Sequence, residues 1–137
     1  MMISTRGRYA LRVLIDLAQN GRDDFIPMKD VAGREGISLK YLEQILPVLS
    51  RAGLVETAHG KGGGYRLSAD PTEISVGKVL RLTEKDLAPV ACLAEGAAKC
   101  DRETTCPTLD FWKGLNEVIN TYLDSRTLAD LAENLSK

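Results

Sequence analysis

The chain lacks an apolar run long enough to cross a bilayer. Its opening, MMISTRGRYALRVL, also lacks the apolar stretch and small-residue cleavage site of a secretory signal, so a cytoplasmic protein with no membrane partner is expected. Histidine is nearly absent: the one copy, His59, stands in a glycine-rich run. No Ser/His/Asp or paired-carboxylate arrangement is visible either, which argues against an enzyme. Net charge is close to nil, at −1 over 137 residues, and taken alone this argues against nucleic acid. Its distribution says something else. Residues 1–67 carry ten Lys/Arg against seven Asp/Glu, a net +3, whereas residues 68–137 carry eight against twelve, a net −4. A mildly basic first half and an acidic second half fit a DNA-facing part followed by a sensing or assembly part.

Cysteine is missing everywhere except in CLAEGAAKCDRETTC, which holds Cys92, Cys100 and Cys106 in a C-x7-C-x5-C pattern. An odd number of thiols leaves a disulfide scheme incomplete. In a cytoplasmic protein, clustered cysteines are more often metal-binding or redox-active than structural staples. Three thiolates form a soft donor set suited to an iron–sulfur cluster or to zinc.

Hydrophobic periodicity organises the remainder. Tyr9, Ala10, Val13, Leu14, Leu17 and Ala18 make one apolar stripe, predicting a helix over 5–19 that Asn20-Gly21 stops. MKDVAGRE (28–35) reads as a short helix ended by Gly36. Ser38 then caps a third, with Leu42, Ile45, Leu46 and Leu49 facing inward and Gly53 as its stop. Pro47, inside that helix, predicts a kink or 3₁₀ distortion. Two helices separated by GIS fit a helix-turn-helix or an ordinary helical hairpin. LVETAHGKGGGYRLS alternates apolar and polar residues around an HGKGG tip, predicting a β-hairpin. A helix-turn-helix followed by a glycine-rich, basic hairpin is a winged helix, with His59, Lys61 and Arg66 supplying positive charge. The run GKGGG lacks the spacing of a nucleotide-phosphate loop.

Ser75 caps a short helix over 75–82, and residues 84–107 show no sustained period. From Thr108 a long helix carries Phe111, Leu115, Val118, Ile119, Tyr122 and Leu123 as a stripe, which predicts an antiparallel homodimer contact. Ser125-Arg126 breaks it. Thr127 and Asp130 then resemble a capping box that opens a last helix to about Asn134. The expected fold is therefore mainly α with a small β-hairpin wing. Its parts are a winged helix-turn-helix DNA-binding domain (1–83), a cysteine loop (84–107), and a dimerisation helix with a C-terminal helix (108–137).

STRGRYALRVLIDLA, GISLKYLEQIL, GKGGGYRL, the three-cysteine loop, FW and LDSRTLADL occur in this order. Over nearly its whole length the chain resembles the Rrf2 family of bacterial winged-helix regulators, which includes IscR, NsrR and CymR types. The resemblance implies a transcription regulator, expected to be a repressor, that binds a double-stranded DNA operator as a homodimer. It further implies an iron–sulfur cluster on Cys92, Cys100 and Cys106, of the 2Fe-2S type with 4Fe-4S as the alternative. Genes of iron–sulfur biogenesis or related stress are the implied targets. Alternatives on the same fold are a cysteine-metabolism or thiol-redox repressor without a cluster, and a nitric-oxide sensor.

The IscR pattern has a histidine where this chain has Leu109, so the fourth ligand departs from the family. Asp110 is the expected substitute, with Asp101, Glu103, Asp16 or solvent as others. The NsrR route, a carboxylate from the partner's first helix, meets Arg8 here. DNA contacts are expected from Arg6, Arg8 and Tyr9 on the first helix and from Ser38, Lys40, Tyr41, Glu43 and Gln44 on the recognition helix. The wing is expected to contribute His59, Lys61, Gly62 and Gly63 at the minor groove. Glu43 fits DNA by accepting from cytosine N4. His59 stands where the IscR pattern has arginine.

Overall fold

The computed structural model describes residues 2–21 and 23–133. Six helices and one hairpin follow in chain order: α1 (Thr5–Asn20), α2 (Met28–Glu35), α3 (Leu39–Arg51), β1 (Val55–Ala58), β2 (Gly64–Leu67), α4 (Val76–Thr83), α5 (Leu109–Ser125) and α6 (Leu128–Glu133). The fold is mainly helical with a two-stranded wing, as the sequence predicts. Asn134, where the last helix was expected to end, lies outside the described residues.

Short polar side chains set the helix starts. Ser4 accepts from the Gly7 N–H at 3.1 Å, Ser38 from Tyr41 at 3.1 Å and Ser75 from Lys78 at 3.0 Å. Thr127 and Asp130 form the reciprocal box, at 2.9 and 3.2 Å. Each cap satisfies a donor that helix geometry leaves without a partner, a contribution of about 1 kcal/mol.

Pro47 causes no 3₁₀ segment: α3 runs unbroken through it. Pro47 and Glu43 are both solvent-exposed, so water can satisfy the Glu43 carbonyl that loses its helical donor.

The core is built around α1. Ala10, Val13, Leu14 and Leu17 pack with Val31 of α2, Leu42, Ile45, Leu46 and Leu49 of α3, Leu54, Ile74, Val79 and Leu128. Helices α2, α3, α4 and α6 and strand β2 all contact α1. Leu128 comes from α6, so the chain returns to the first core after α5. The return is fixed by a bridge between Ser75 and Thr127, with the Val76 N–H donating to the Arg126 carbonyl at 2.8 Å and the Leu128 N–H to the Ile74 carbonyl at 2.9 Å. A smaller cluster, Val76, Leu80 and Leu87, receives Ile3, Leu11, Leu123 and Leu131.

The hairpin pairs Val55 with Leu67 through Ala58 with Gly64. A single bridge on its other edge, Ile26 to Tyr65, adds a third backbone segment that the pattern does not announce. Gly64 stands at φ +151°, and a Cβ there would run into the Ile26 backbone. Its glycine is thus required by both dihedral and close approach.

Among the described residues, one charge is buried. Asp16 on α1 is 2% exposed and accepts two hydrogen bonds from Arg34 of α2, at 2.9 and 2.7 Å. Removing the cation would leave a carboxylate in the core without its partner. Arg34→Ala is therefore expected to destabilise the fold by about 2–3 kcal/mol, a figure lowered because Arg34 is itself partly solvated. Urea unfolding at constant slope measures this, and an unchanged midpoint would refute the assignment.

Candidate nucleic-acid surface and cysteine loop

The amino ends of α1 and α3 lie side by side. Tyr9 and Tyr41 meet edge to face, with centroids 5.4 Å apart, and both are half-buried against the core. Arg6 and Arg8 flank this contact on α1, both exposed, and the Arg8 guanidinium donates to Thr5 Oγ1 at 3.0 Å. Lys40, Glu43 and Gln44 are exposed on α3. Ser38 is exposed as well, but its hydroxyl is engaged in capping α3. The Tyr9–Tyr41 contact therefore joins the amino-terminal parts of α1 and α3 and gives two tyrosines a packing role there, while Arg6, Arg8, Lys40, Glu43 and Gln44 are exposed on the same two helices. The reading from sequence missed Leu39, which opens α3 and is 43% exposed despite its apolar side chain.

The wing tip places His59, Lys61 and Gly62 in solvent, with Gly63 half-buried. Gly60 and Gly62 have φ of +84° and +79°, and the Gly63 N–H donates to the Gly60 carbonyl at 3.0 Å. Arg66 is used differently. Its guanidinium donates to Glu56 at 2.9 Å and to the Asp23 carbonyl at 3.0 Å, and lies 4.2 Å from the Phe25 ring centroid. It braces the base of the hairpin, which local sequence does not reveal because Asp23 and Phe25 are some forty positions away.

The segment between α4 and α5 has little regular structure beyond a 3₁₀ turn at Ala91–Leu93. Cys92 and Cys100 are exposed and Cys106 is half-buried, and all three are free thiols. They border one open concavity of about 360 Å³ with Leu93, Lys99, Glu103, Leu109 and Lys113. Among the described residues, no three His, Cys, Asp or Glu side chains are drawn close enough together to hold a metal ion. Thr108 lies 3.5 Å from Cys106 Sγ. Through its hydroxyl first, then its backbone and that of Leu109 at the start of α5, the surroundings hold this thiol below its ordinary pKa.

The candidate fourth ligands separate. Glu103 and Leu109 line the concavity and Asp110 is not on its wall. Asp101 is exposed on the same loop. Asp16, considered as a ligand from sequence, is excluded: burial demands a counter-ion, and Arg34 occupies both of its oxygens. Arg8 supplies no carboxylate.

Helix α5 leaves its apolar stripe uncovered. Phe111, Leu115, Val118 and Tyr122 are exposed, while Leu123 packs on the smaller cluster. Arg81 of α4 clasps the other side, reaching Asp124 at 2.6 and 3.1 Å and Asn120 at 2.9 Å.

The Rrf2 family, described as an iron-dependent transcriptional regulator, matches residues 3–134. The HTH-type transcriptional regulator IscR of Vibrio atlanticus is 37% identical over 134 residues, spanning 98% of this chain and 76% of that protein. A putative HTH-type transcriptional regulator of Neisseria meningitidis is 38% identical over 133 residues, spanning 97% and 88%. Among solved structures, IscR of T. potens superposes with a TM-score of 0.78 at 35% identity, covering 98% of this chain and 88% of that one. CymR, the global cysteine regulator of B. subtilis, superposes with a TM-score of 0.79 at 34% identity, covering 98% of both. These relatives are DNA-binding regulators rather than enzymes. Because the family match takes in the wing, the cysteine loop and α5 together, the chain belongs to the Rrf2 family of transcriptional regulators.

Proposed function

We infer that this regulator binds its DNA operator as a homodimer and that its affinity is set by an iron–sulfur cluster on Cys92, Cys100 and Cys106. The observation that carries the reading is the common concavity: three thiols separated along an irregular segment border one space at the foot of α5. Thiolates are the donors such a cluster takes, and the lowered pKa of Cys106 favours the ligating form. Bound there, a 2Fe-2S or 4Fe-4S cluster would supply a redox- and iron-sensitive crosslink. The loop must draw in to bring the thiols to it. Its exposure leaves room for that movement, and Glu103 is better placed than Asp110 to serve as a fourth donor. Control of iron–sulfur biogenesis or related stress genes is the corresponding biological role, with repression as its expected sense.

On the DNA side, Arg6, Arg8 and Lys61 supply phosphate contacts, and Ser38, Lys40, Tyr41, Glu43 and Gln44 present the amino end of α3 to the major groove. The wing from His59 to Gly63 follows the minor groove, with Tyr9 buttressing the recognition helix through Tyr41. The exposed stripe of α5 supplies the dimer contact. A second reading, a thiol-redox regulator without a cluster, draws support from the free, accessible cysteines and from the similarity to CymR.

Anaerobic purification separates the two. The cluster reading expects a brown protein with visible absorption, equimolar iron and sulfide, and loss of both on replacing the three cysteines by alanine. That replacement is also expected to change operator affinity by roughly tenfold, within the usual range of allosteric coupling. A colourless protein that stays metal-free after reconstitution would sink the cluster reading. Lys61→Ala is expected to weaken binding nearly uniformly across sequences and to lower the slope of log affinity against log salt by about 1. A changed sequence preference at unchanged slope would contradict a phosphate role. Val118→Glu, on the exposed stripe, is expected to convert the dimer to monomer at micromolar concentration by sedimentation, with the helical spectrum intact.

A further inference from the structure

Ser4 caps α1 and does more than cap it. Its backbone N–H donates to Glu84 Oε1 at 2.6 Å and its hydroxyl to Glu84 Oε2 at 2.8 Å. Glu84 in turn closes α4, its own N–H donating to the Leu80 carbonyl at 2.8 Å. The two helix ends meet at Gly7. A Cβ on that residue would stand 2.8 Å from Glu84 Oε1, 3.0 Å from Thr83 Oγ1 and 3.1 Å from Leu80 Cδ2. The start of α1 is thus seated on the end of α4 at a glycine and held by both oxygens of one carboxylate.

Each side of this contact leads somewhere. Gly7 lies between Arg6 and Arg8, and two residues on, Tyr9 meets Tyr41 at the start of α3. Glu84 is the first residue of the segment that carries the cysteines, with Leu87 its first buried anchor and Cys92 beyond. The Ser4–Glu84 bonds are solvent-accessible, so water can replace them without stranding a buried group. An exchangeable contact between two packed helix ends suits a coupling element better than a permanent core contact does.

We propose that Glu84 is a positioning residue that passes the state of the cysteine loop to the DNA-facing end of α1, and through Tyr9 and Tyr41 to α3. It rests on the reading of the loop as the sensing element. Both carboxylate oxygens of Glu84 accept from Ser4. Glutamine keeps one acceptor for the Ser4 N–H, and its amide N–H₂ can pair with the hydroxyl only if that group rotates to accept a second bond beside the one from the Gly7 N–H.

The test is a cycle of DNA affinities on the full-length protein. The probe is a duplex selected by the wild-type chain from a random-sequence pool. The first axis is the replacement of Cys92, Cys100 and Cys106 by alanine. The second is Glu84→Ala, with Glu84→Gln and Gly7→Ala as companions. Gly7→Ala leaves the carboxylate present but pushes its flexible end off Ser4, so it keeps the test open if Glu84→Ala fails to fold. Thermal melting and circular dichroism check the fold of each.

With Glu84 intact, the cysteine replacement is expected to shift the dissociation constant by roughly tenfold, and with Glu84→Ala or Gly7→Ala by less than about twofold. Glu84→Gln is expected to fall between. An equal shift in all backgrounds overturns the role of Glu84 and leaves the sensing loop standing. No shift in any background overturns both.

Discussion

The packing of Ala10, Val13, Leu14 and Leu17 against the leucines of α3 and against Leu128 of α6 is the contact on which the other elements depend. A chain of this length has only one modest core to share, and α1 supplies its centre. The helix serves the wing through β2, the recognition helix through α3 and the returning chain through α6. It also carries Asp16, the one buried carboxylate among the described residues, whose pairing with Arg34 fixes α2 against it. An element engaged on so many sides cannot shift without moving its neighbours. Its amino end is therefore part of a packed body rather than a loose arm.

Helix boundaries were legible in the sequence because their signals are local. Ser38, Ser75 and Thr127 each bond a residue three positions away, a distance that a sequence shows directly. The wing was legible for the same reason: alternation and glycines specify a hairpin whose two strands are neighbours in the chain. What escaped was the non-local part. The Ile26 bridge, the brace around Arg66 and the clasp of Arg81 on Asp124 and Asn120 join positions about forty residues apart. Of the two effects expected of Pro47, the 3₁₀ distortion is not formed, since the lost bond falls on a carbonyl that water can reach. Asp16 was misjudged because sequence gives the type of a side chain and not its engagement.

For the candidate site the division is similar. The basic and polar residues of α1, α3 and the wing tip were chosen by type and position, and the fold leaves Arg6, Arg8, Lys40, Glu43, Gln44, His59 and Lys61 exposed. The cysteine loop is harder. Its residues are small, charged or glycine, with few apolar side chains to hold one conformation, and only Leu87 is buried near its start. Few contacts of its own specify the conformation of such a segment, so residue type alone did not separate the two carboxylates Asp110 and Glu103.

The return of α6 to the first core has a consequence for how such a regulator can change over evolutionary time. The segment from Glu84 to Thr108 is pinned at its start by α4 and at its finish by α5, and α5 is tied back in turn through Thr127 and Leu128. It is a closed loop on a finished scaffold. Closing a flexible loop costs only about 0.6 kcal/mol more for each doubling of its length. Insertions, deletions and new ligand sets can therefore be tried there while the wing, the recognition helix and α5 keep their places. One architecture can in this way be fitted with different chemical inputs, each tested against an unaltered output.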